Sequence, residues 1–139
     1  MKACKSILIT FVAVSLSACS APSSQEQKTV RTGSEELQVF YFHFTKRCAT
    51  CNAVEAETEF ALETFYGDQV KDGSIVFTSL NLEEEDGKEM SDQLGVSGQT
   101  LLLVKGEQMV NLTNEGFMNA RTHSGKFHQV LKTQIDKLL

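Results

Sequence analysis

The sequence predicts an α/β domain in which a mixed β-sheet carries helices on both faces. Apolar runs of strand length, rich in aromatic and β-branched residues, alternate with longer segments of helical periodicity. They follow one another as β-α-β-α-β-β-α, an order that implies a mixed sheet covered on both sides. The chain has 139 residues, the size of a single domain.

The first strand is ELQVFYFHFT, residues 36–45, whose aromatic and β-branched content suits a buried position. NAVEAETEFALETFY, residues 52–66, contains strong helix formers. Val54, Thr58, Ala61, Leu62 and Phe65 recur at helical spacing and form the packing face, the glutamates point to water, and Gly67 is the expected stop. SIVFTSLNL, residues 74–82, is the second strand, and the acidic segment 83–94 is a short helix ended by Gly95. TLLLVK, residues 100–105, is the third strand. A turn at Gly106-Glu107 leads into a fourth, residues 108–113, to make a hairpin. Asn114-Glu115-Gly116 is expected to break the chain. The last helix, residues 124–139, aligns Phe127, Val130, Leu131, Gln134, Ile135 and Leu138 on one stripe. No internal repeat or low-complexity block interrupts this order.

Composition sets limits on function. Apolar residues make up 41% and charged residues 22%, ordinary values for a globular protein. The net charge of −5 comes with no basic patch, which argues against nucleic acid as a partner.

Residues 1–18 read as a signal peptide: Lys2 and Lys5 precede the apolar run SILITFVAVSLS, which is too short to span a bilayer as a helix. The run ends in Leu-Ser-Ala-Cys, residues 16–19, which resembles a bacterial lipobox. The resemblance implies cleavage before Cys19, a lipid on its thiol, and acyl chains that hold the mature chain at a membrane. Ser20 in place of aspartate implies, by the same resemblance, an outer-membrane destination facing the periplasm, or otherwise the outer surface of the cell membrane. The polar stretch 19–35 reads as a lipidated flexible tether, and residues 36–139 as the folded domain. Loss of Lys2 and Lys5 takes the 13 basic residues to 11 against 18 acidic ones, a mature net charge of −7. Of the four cysteines, Cys4 leaves with the signal and Cys19 carries lipid, so Cys48 and Cys51 remain, in a compartment where disulfides persist.

Cys48-Ala49-Thr50-Cys51 lies where the first strand gives way to the first helix. A disulfide between them closes so small a loop that it adds little stability through chain entropy, which weakens the reading as a structural staple. A structural zinc site needs four ligands, and a haem c attachment needs histidine directly after the second cysteine, where Asn52 stands. With the preceding strand, the following helix and the downstream GVSGQTLLLVKGE, the segment from about residue 37 to 139 resembles the thioredoxin fold. The resemblance implies a three-layer architecture around a mixed sheet of four to five strands. It also implies redox chemistry by a reversible Cys48–Cys51 disulfide, with no further cofactor and no bound metal. A helix N-terminus stabilises a thiolate. Cys48 is therefore expected to be the nucleophile and Cys51 the resolving thiol, with Lys46 and Arg47 adding positive charge. Gly98, Gln99 and Thr100 occupy the place of the family's substrate-docking loop.

The chain departs from the family pattern in four places. The dipeptide between the cysteines is Ala49-Thr50, and Arg47 replaces the usual tryptophan. The family's buried aspartate falls at Phe42 and its lysine partner at about Ser79. Glu55, one turn after Cys51, is a candidate replacement for the missing acid, as is a water. The proline opposite the cysteines is absent, since the only proline of the chain is Pro22. A trans peptide is expected at Gln99-Thr100, because a cis bond without proline costs roughly 3 kcal/mol.

These observations imply a membrane-anchored thiol–disulfide oxidoreductase of the cell envelope, inclined toward reduction. Its partners would be envelope proteins carrying disulfides or dithiols, together with a redox partner that resets it. The alternative is a thioredoxin-like module that binds copper, zinc or a protein through Cys48, Cys51 and His43; a further alternative is an interaction scaffold with an inert disulfide. His43 otherwise reads as a histidine hydrogen-bonded beside the sheet, His123 as a solvated loop residue that could also complete a metal site, and His128 as a helix-face residue. The acidic run Glu83 to Asp86 lacks calcium-loop spacing and reads as a solvated helix start.

Overall fold

The computed structural model describes residues 35–139. The expected signal peptide, Cys19 and nearly all of the tether lie outside the described residues. Within them the chain runs through β1 (Leu37–His43), α1 (Ala49–Asp72), β2 (Ile75–Asn81), α2 (Glu85–Leu94), β3 (Thr100–Lys105), β4 (Gln108–Asn111), α3 (Thr113–Asn119) and α4 (Ser124–Leu138). The sheet has four strands in the order β2-β1-β3-β4. β1 pairs parallel with β2 and antiparallel with β3, and β3 pairs antiparallel with β4.

Alternation along β1 sorts its side chains between two cores. Leu37, Val39 and Tyr41 face one side, where they meet Leu101 and Leu103 of β3 and the apolar faces of α1 and α4, including Val54, Leu62, Phe127, Leu131 and Ile135. Phe40 and Phe42 face the other side with Leu102, Val104 and Leu94 of α2. The result is three layers, with α1, α3 and α4 on one face of the sheet and α2 on the other. Because both faces are covered, β1 is apolar at nearly every position instead of alternating with polar residues.

The first helix and the segment after β3 depart most from the sequence reading, while the other strand and helix ends move by only one or two residues. The first helix begins three residues early and does not stop at Gly67. It bends at Tyr66 (φ −135°, ψ 26°), continues to Asp72, and ends at Gly73 with φ 83°. The bend turns Tyr66 inward, 5% exposed, and leaves Phe65 37% exposed, so Tyr66 takes the core position expected for Phe65. The Tyr66 hydroxyl lies 2.5 Å from Asp136 Oδ1 and 3.1 Å from the Lys132 carbonyl, which ties the bend to α4. β4 ends at Asn111, and residues 113–119 are helical where a break was expected. Asn111 Oδ1 accepts the Thr113 amide at 3.0 Å and turns the chain into α3. Gly116 is a packing site there, since a β-carbon on it would stand 3.2 Å from Val54 Cγ1.

The hairpin forms as expected. Lys105 pairs with Gln108 across a two-residue turn, and Gly106 supplies the positive φ of 58°. α2 ends at Gly95, whose φ is 66°. Every peptide bond among the described residues is trans, including that between Gln99 and Thr100. Among the described residues no helix is long and apolar enough to cross a membrane.

Candidate redox site

The cysteine pair forms at the junction of β1 and α1. Cys48 is the N-cap of α1, with extended backbone (φ −91°, ψ 165°), and its Sγ accepts a hydrogen bond from the Cys51 amide at 3.1 Å. The first amides of a helix have no carbonyl partner within it, so a sulfur at this position takes the role that serine or aspartate oxygens fill at other helix starts. One turn later Cys51 packs inward. The two cysteines form a disulfide with Cα atoms 5.0 Å apart. Cys48 is exposed, whereas Cys51 is 2% exposed. A thiolate approaching this disulfide from outside therefore reaches Cys48 first.

Side chains from two places in the fold reach Cys51. From β1, the Tyr41 hydroxyl donates to the Cys51 carbonyl at 3.0 Å. From the loop before β3, Gln99 Oε1 approaches Cys51 Sγ to 3.4 Å. Thr100 opens β3 opposite Phe42, and its hydroxyl donates back to the Gly98 carbonyl at 2.9 Å, which folds Gly98–Thr100 into a tight corner. The sequence reading placed this corner opposite the cysteines, and Gln99 does lie against Cys51.

The two cations before Cys48 have different environments. Lys46 is exposed. Arg47 turns inward: its guanidinium carbon stands 5.6 Å from the centre of the Tyr41 ring, and Nη2 is 2.5 Å from Glu55 Oε2. That contact is an ion pair by distance, but its angle falls short of a hydrogen bond, and Arg47 Nε is also buried without an acceptor. Burial alone would raise the Glu55 carboxyl. The Ser79 hydroxyl facing it, though short of a well-formed hydrogen bond, combines with Arg47 and His43 to outweigh burial and hold the pKa below the usual carboxylate value. Burial raises the Tyr41 phenol above its ordinary value, and Arg47 opposes this in part.

The position beneath the cysteines is filled differently from the sequence comparison. Phe42 points away, into the α2 core, and Tyr41 faces α1. Ser79 of β2 is the register partner of Tyr41. Alternation within β1 is the signal that could have identified Tyr41. Nothing in the sequence spacing pairs Arg47 with Glu55.

The approach to the site is held by a second cluster. Glu83 Oε2 accepts the Thr45 amide at 2.7 Å, and Asn81 Nδ2 donates to Thr45 Oγ1 at 2.9 Å. Hydrogen bonding from Thr45 keeps the Glu83 carboxyl below its usual range. The three histidines have local partners. His43 Nδ1 lies 3.1 Å from the Phe44 carbonyl, His123 Nδ1 lies 3.0 Å from the Thr122 hydroxyl, and His128 Nε2 lies 2.7 Å from Glu57 Oε2. Among the described residues no group of three or more His, Cys, Asp or Glu side chains is placed to hold a metal ion.

A mixed sheet in the order β2-β1-β3-β4 with helices on both faces and a Cys-x-x-Cys at the start of the first helix make a thioredoxin-like α/β fold. Solved structures similar to this chain include thioredoxin O2 of Arabidopsis thaliana in its oxidised state, at 21% identity and a TM-score of 0.42, over 55% of this chain and 60% of that one. A malarial protein matches at 18% identity with a TM-score of 0.46, over 71% of this chain and 96% of its own. The germline-specific thioredoxin Deadhead of Drosophila melanogaster matches at 15% identity and 0.49, over 76% and 84%. No family model and no curated protein matches the chain.

Proposed function

We propose that this chain is a membrane-anchored thiol–disulfide oxidoreductase of the cell envelope, in which Cys48 and Cys51 cycle between dithiol and disulfide and favour reduction of a partner. The observation that carries the reading is the asymmetry of the pair: Cys48 is exposed at the helix N-cap and accepts an amide hydrogen bond, while Cys51 is buried behind it. In the reduced state the amide and the helix dipole favour a thiolate at Cys48. That thiolate attacks one sulfur of a partner disulfide, the partner's S–S bond breaks, and its other sulfur leaves as a thiolate that takes up a proton. Cys51 then attacks Cys48 Sγ in the mixed disulfide, releases the second partner sulfur, and closes the Cys48–Cys51 bond. The partner gains two electrons and the pair loses two, so a reducing dithiol must restore it.

Exposed Lys46 adds positive charge beside the nucleophile, and Gly98, Gln99 and Thr100 form the wall against which a partner strand lies. The Leu-Ser-Ala-Cys segment supports anchoring through a lipidated Cys19. The test is disulfide reduction in an insulin assay together with the thiol pKa of Cys48. The expected results are a pKa below the free-thiol value of about 8.5, turnover lost in Cys48→Ser, and mixed disulfides trapped in Cys51→Ser. An ordinary Cys48 pKa with no turnover sinks the proposal. The anchor is read separately, as loss of membrane association in Cys19→Ser.

A further inference from the structure

The two sulfurs face opposite kinds of hydrogen-bonding partner. Cys48 Sγ lies against a donor, the Cys51 amide, at 3.1 Å. Cys51 Sγ lies against an acceptor, Gln99 Oε1, at 3.4 Å. A disulfide sulfur has no proton to give, so the second contact becomes a hydrogen bond only when Cys51 is reduced to a thiol. A donor beside a titrating sulfur favours the thiolate, and an acceptor favours the thiol.

We propose that Gln99 is a positioning residue that keeps Cys51 protonated in the reduced pair and so makes Cys48 the sulfur that carries the negative charge. This rests on the oxidoreductase reading and goes beyond the docking role given to Gln99 there. A carboxamide holds a proton in place but cannot take it away. In the first step Cys51 therefore keeps its proton while Cys48 attacks. In the second, Cys51 loses that proton as it bonds to Cys48 Sγ, and the proton goes to the partner sulfur that departs as a thiol, so charge balances.

The surroundings make the role separable. Ionisable groups stand on the elements that adjoin the pair: Tyr41, whose hydroxyl meets the Cys51 carbonyl, and His43 on β1, Glu55 on α1 with Arg47 against it, and Glu115 on α3, which packs against α1. The Gly98–Thr100 corner contributes none. Replacing Gln99 with an apolar residue thus removes the acceptor without removing a charge.

The experiment is alkylation of the reduced full chain by iodoacetamide as a function of pH, at low conversion, with Cys48 and Cys51 read separately by peptide mass spectrometry. The expected midpoint for Cys51 lies above that for Cys48. In Gln99→Leu the Cys51 midpoint falls, with roughly two- to tenfold more thiolate below it, the size of one ordinary hydrogen bond. Gln99→Glu keeps an acceptor and adds a negative charge, so its Cys51 midpoint rises, and this variant decides the matter if Gln99→Leu does not fold. A Cys51 midpoint at or below that of Cys48, one that stays or rises in Gln99→Leu, or one that stays or falls in Gln99→Glu overturns the proposal. The titrations need no turnover. Expected midpoints without insulin reduction defeat only the oxidoreductase reading, whereas full turnover with an unmoved Cys51 defeats only the role of Gln99.

Discussion

Arg47 immediately precedes the exposed cysteine, and its guanidinium has partners of its own: it lies over the Tyr41 ring and meets the Glu55 carboxylate, whose opposite charge accompanies it. Lys46 is the cation left facing solvent. Glu55, its pKa held below the ordinary value, contributes stability that is present above its unfolded-state pKa of about 4.3 and is lost as the pH falls through the folded value. Glu55→Gln is thus expected to lower the urea midpoint at neutral pH and to converge with the wild type in acid, where the wild-type carboxyl is protonated. A difference that keeps its size as the pH is lowered until acid unfolding would show that the carboxylate charge is not what matters. At this scale the cysteine pair was legible in the sequence, because its spacing and its place before a helix are local properties. Tyr41 and the Arg47–Glu55 pair were not, because an arginine before a cysteine has the same letters whether it faces solvent or a tyrosine ring.

Each element is delimited by a contact as well as by its own propensity. Gly67 ranks among the poorest helix formers, and it does mark a disturbance, but the helix bends at Tyr66 and continues because Tyr66 is bonded to α4. Gly116 reads as a breaker in isolation and serves as the place where α3 presses on Val54. Gly87 is the sharpest case. A β-carbon there would stand 1.9 Å from the Asn81 carbonyl oxygen, which is backbone and cannot swing aside. Gly87→Ala is expected to destabilise the protein by about 1–3 kcal/mol, the range for overpacking, read as a lower denaturant midpoint. It should also disturb Asn81 and the Thr45 contact it makes beside the cysteines. A midpoint unchanged from wild type would mean that α2 sits free of β2.

At the scale of the whole molecule, the sheet divides two unequal cores. The larger lies under α1, α3 and α4, and the smaller under α2. The cysteine pair rides on the larger one, since α1 carries Cys51 and packs there through Val54, Ala61 and Leu62. Phe127 of α4 is fully buried in that core. Its replacement by alanine leaves a cavity and is expected to cost about 3–5 kcal/mol, a large part of the 5–15 kcal/mol typical of a domain. Equilibrium urea unfolding of Phe127→Ala measures this, and a loss below about 1 kcal/mol would indicate that α4 is not part of the cooperative unit.

The sequence by itself determined the alternation of strands and helices, the hairpin at Gly106 and the position of Cys48 at a helix start. Each depends on periodicity or on a turn within a few residues. The tertiary structure alone decided what surrounds the cysteines. Tyr41 and Gln99 reach Cys51 from 10 and 48 residues away. Their meeting depends on which face of β1 looks toward α1 and on β3 lying beside β1, and both follow from how the layers close over their cores. Pairing across that distance leaves no periodic trace, so the chemistry of the pair was readable in one dimension and its tuning only in three.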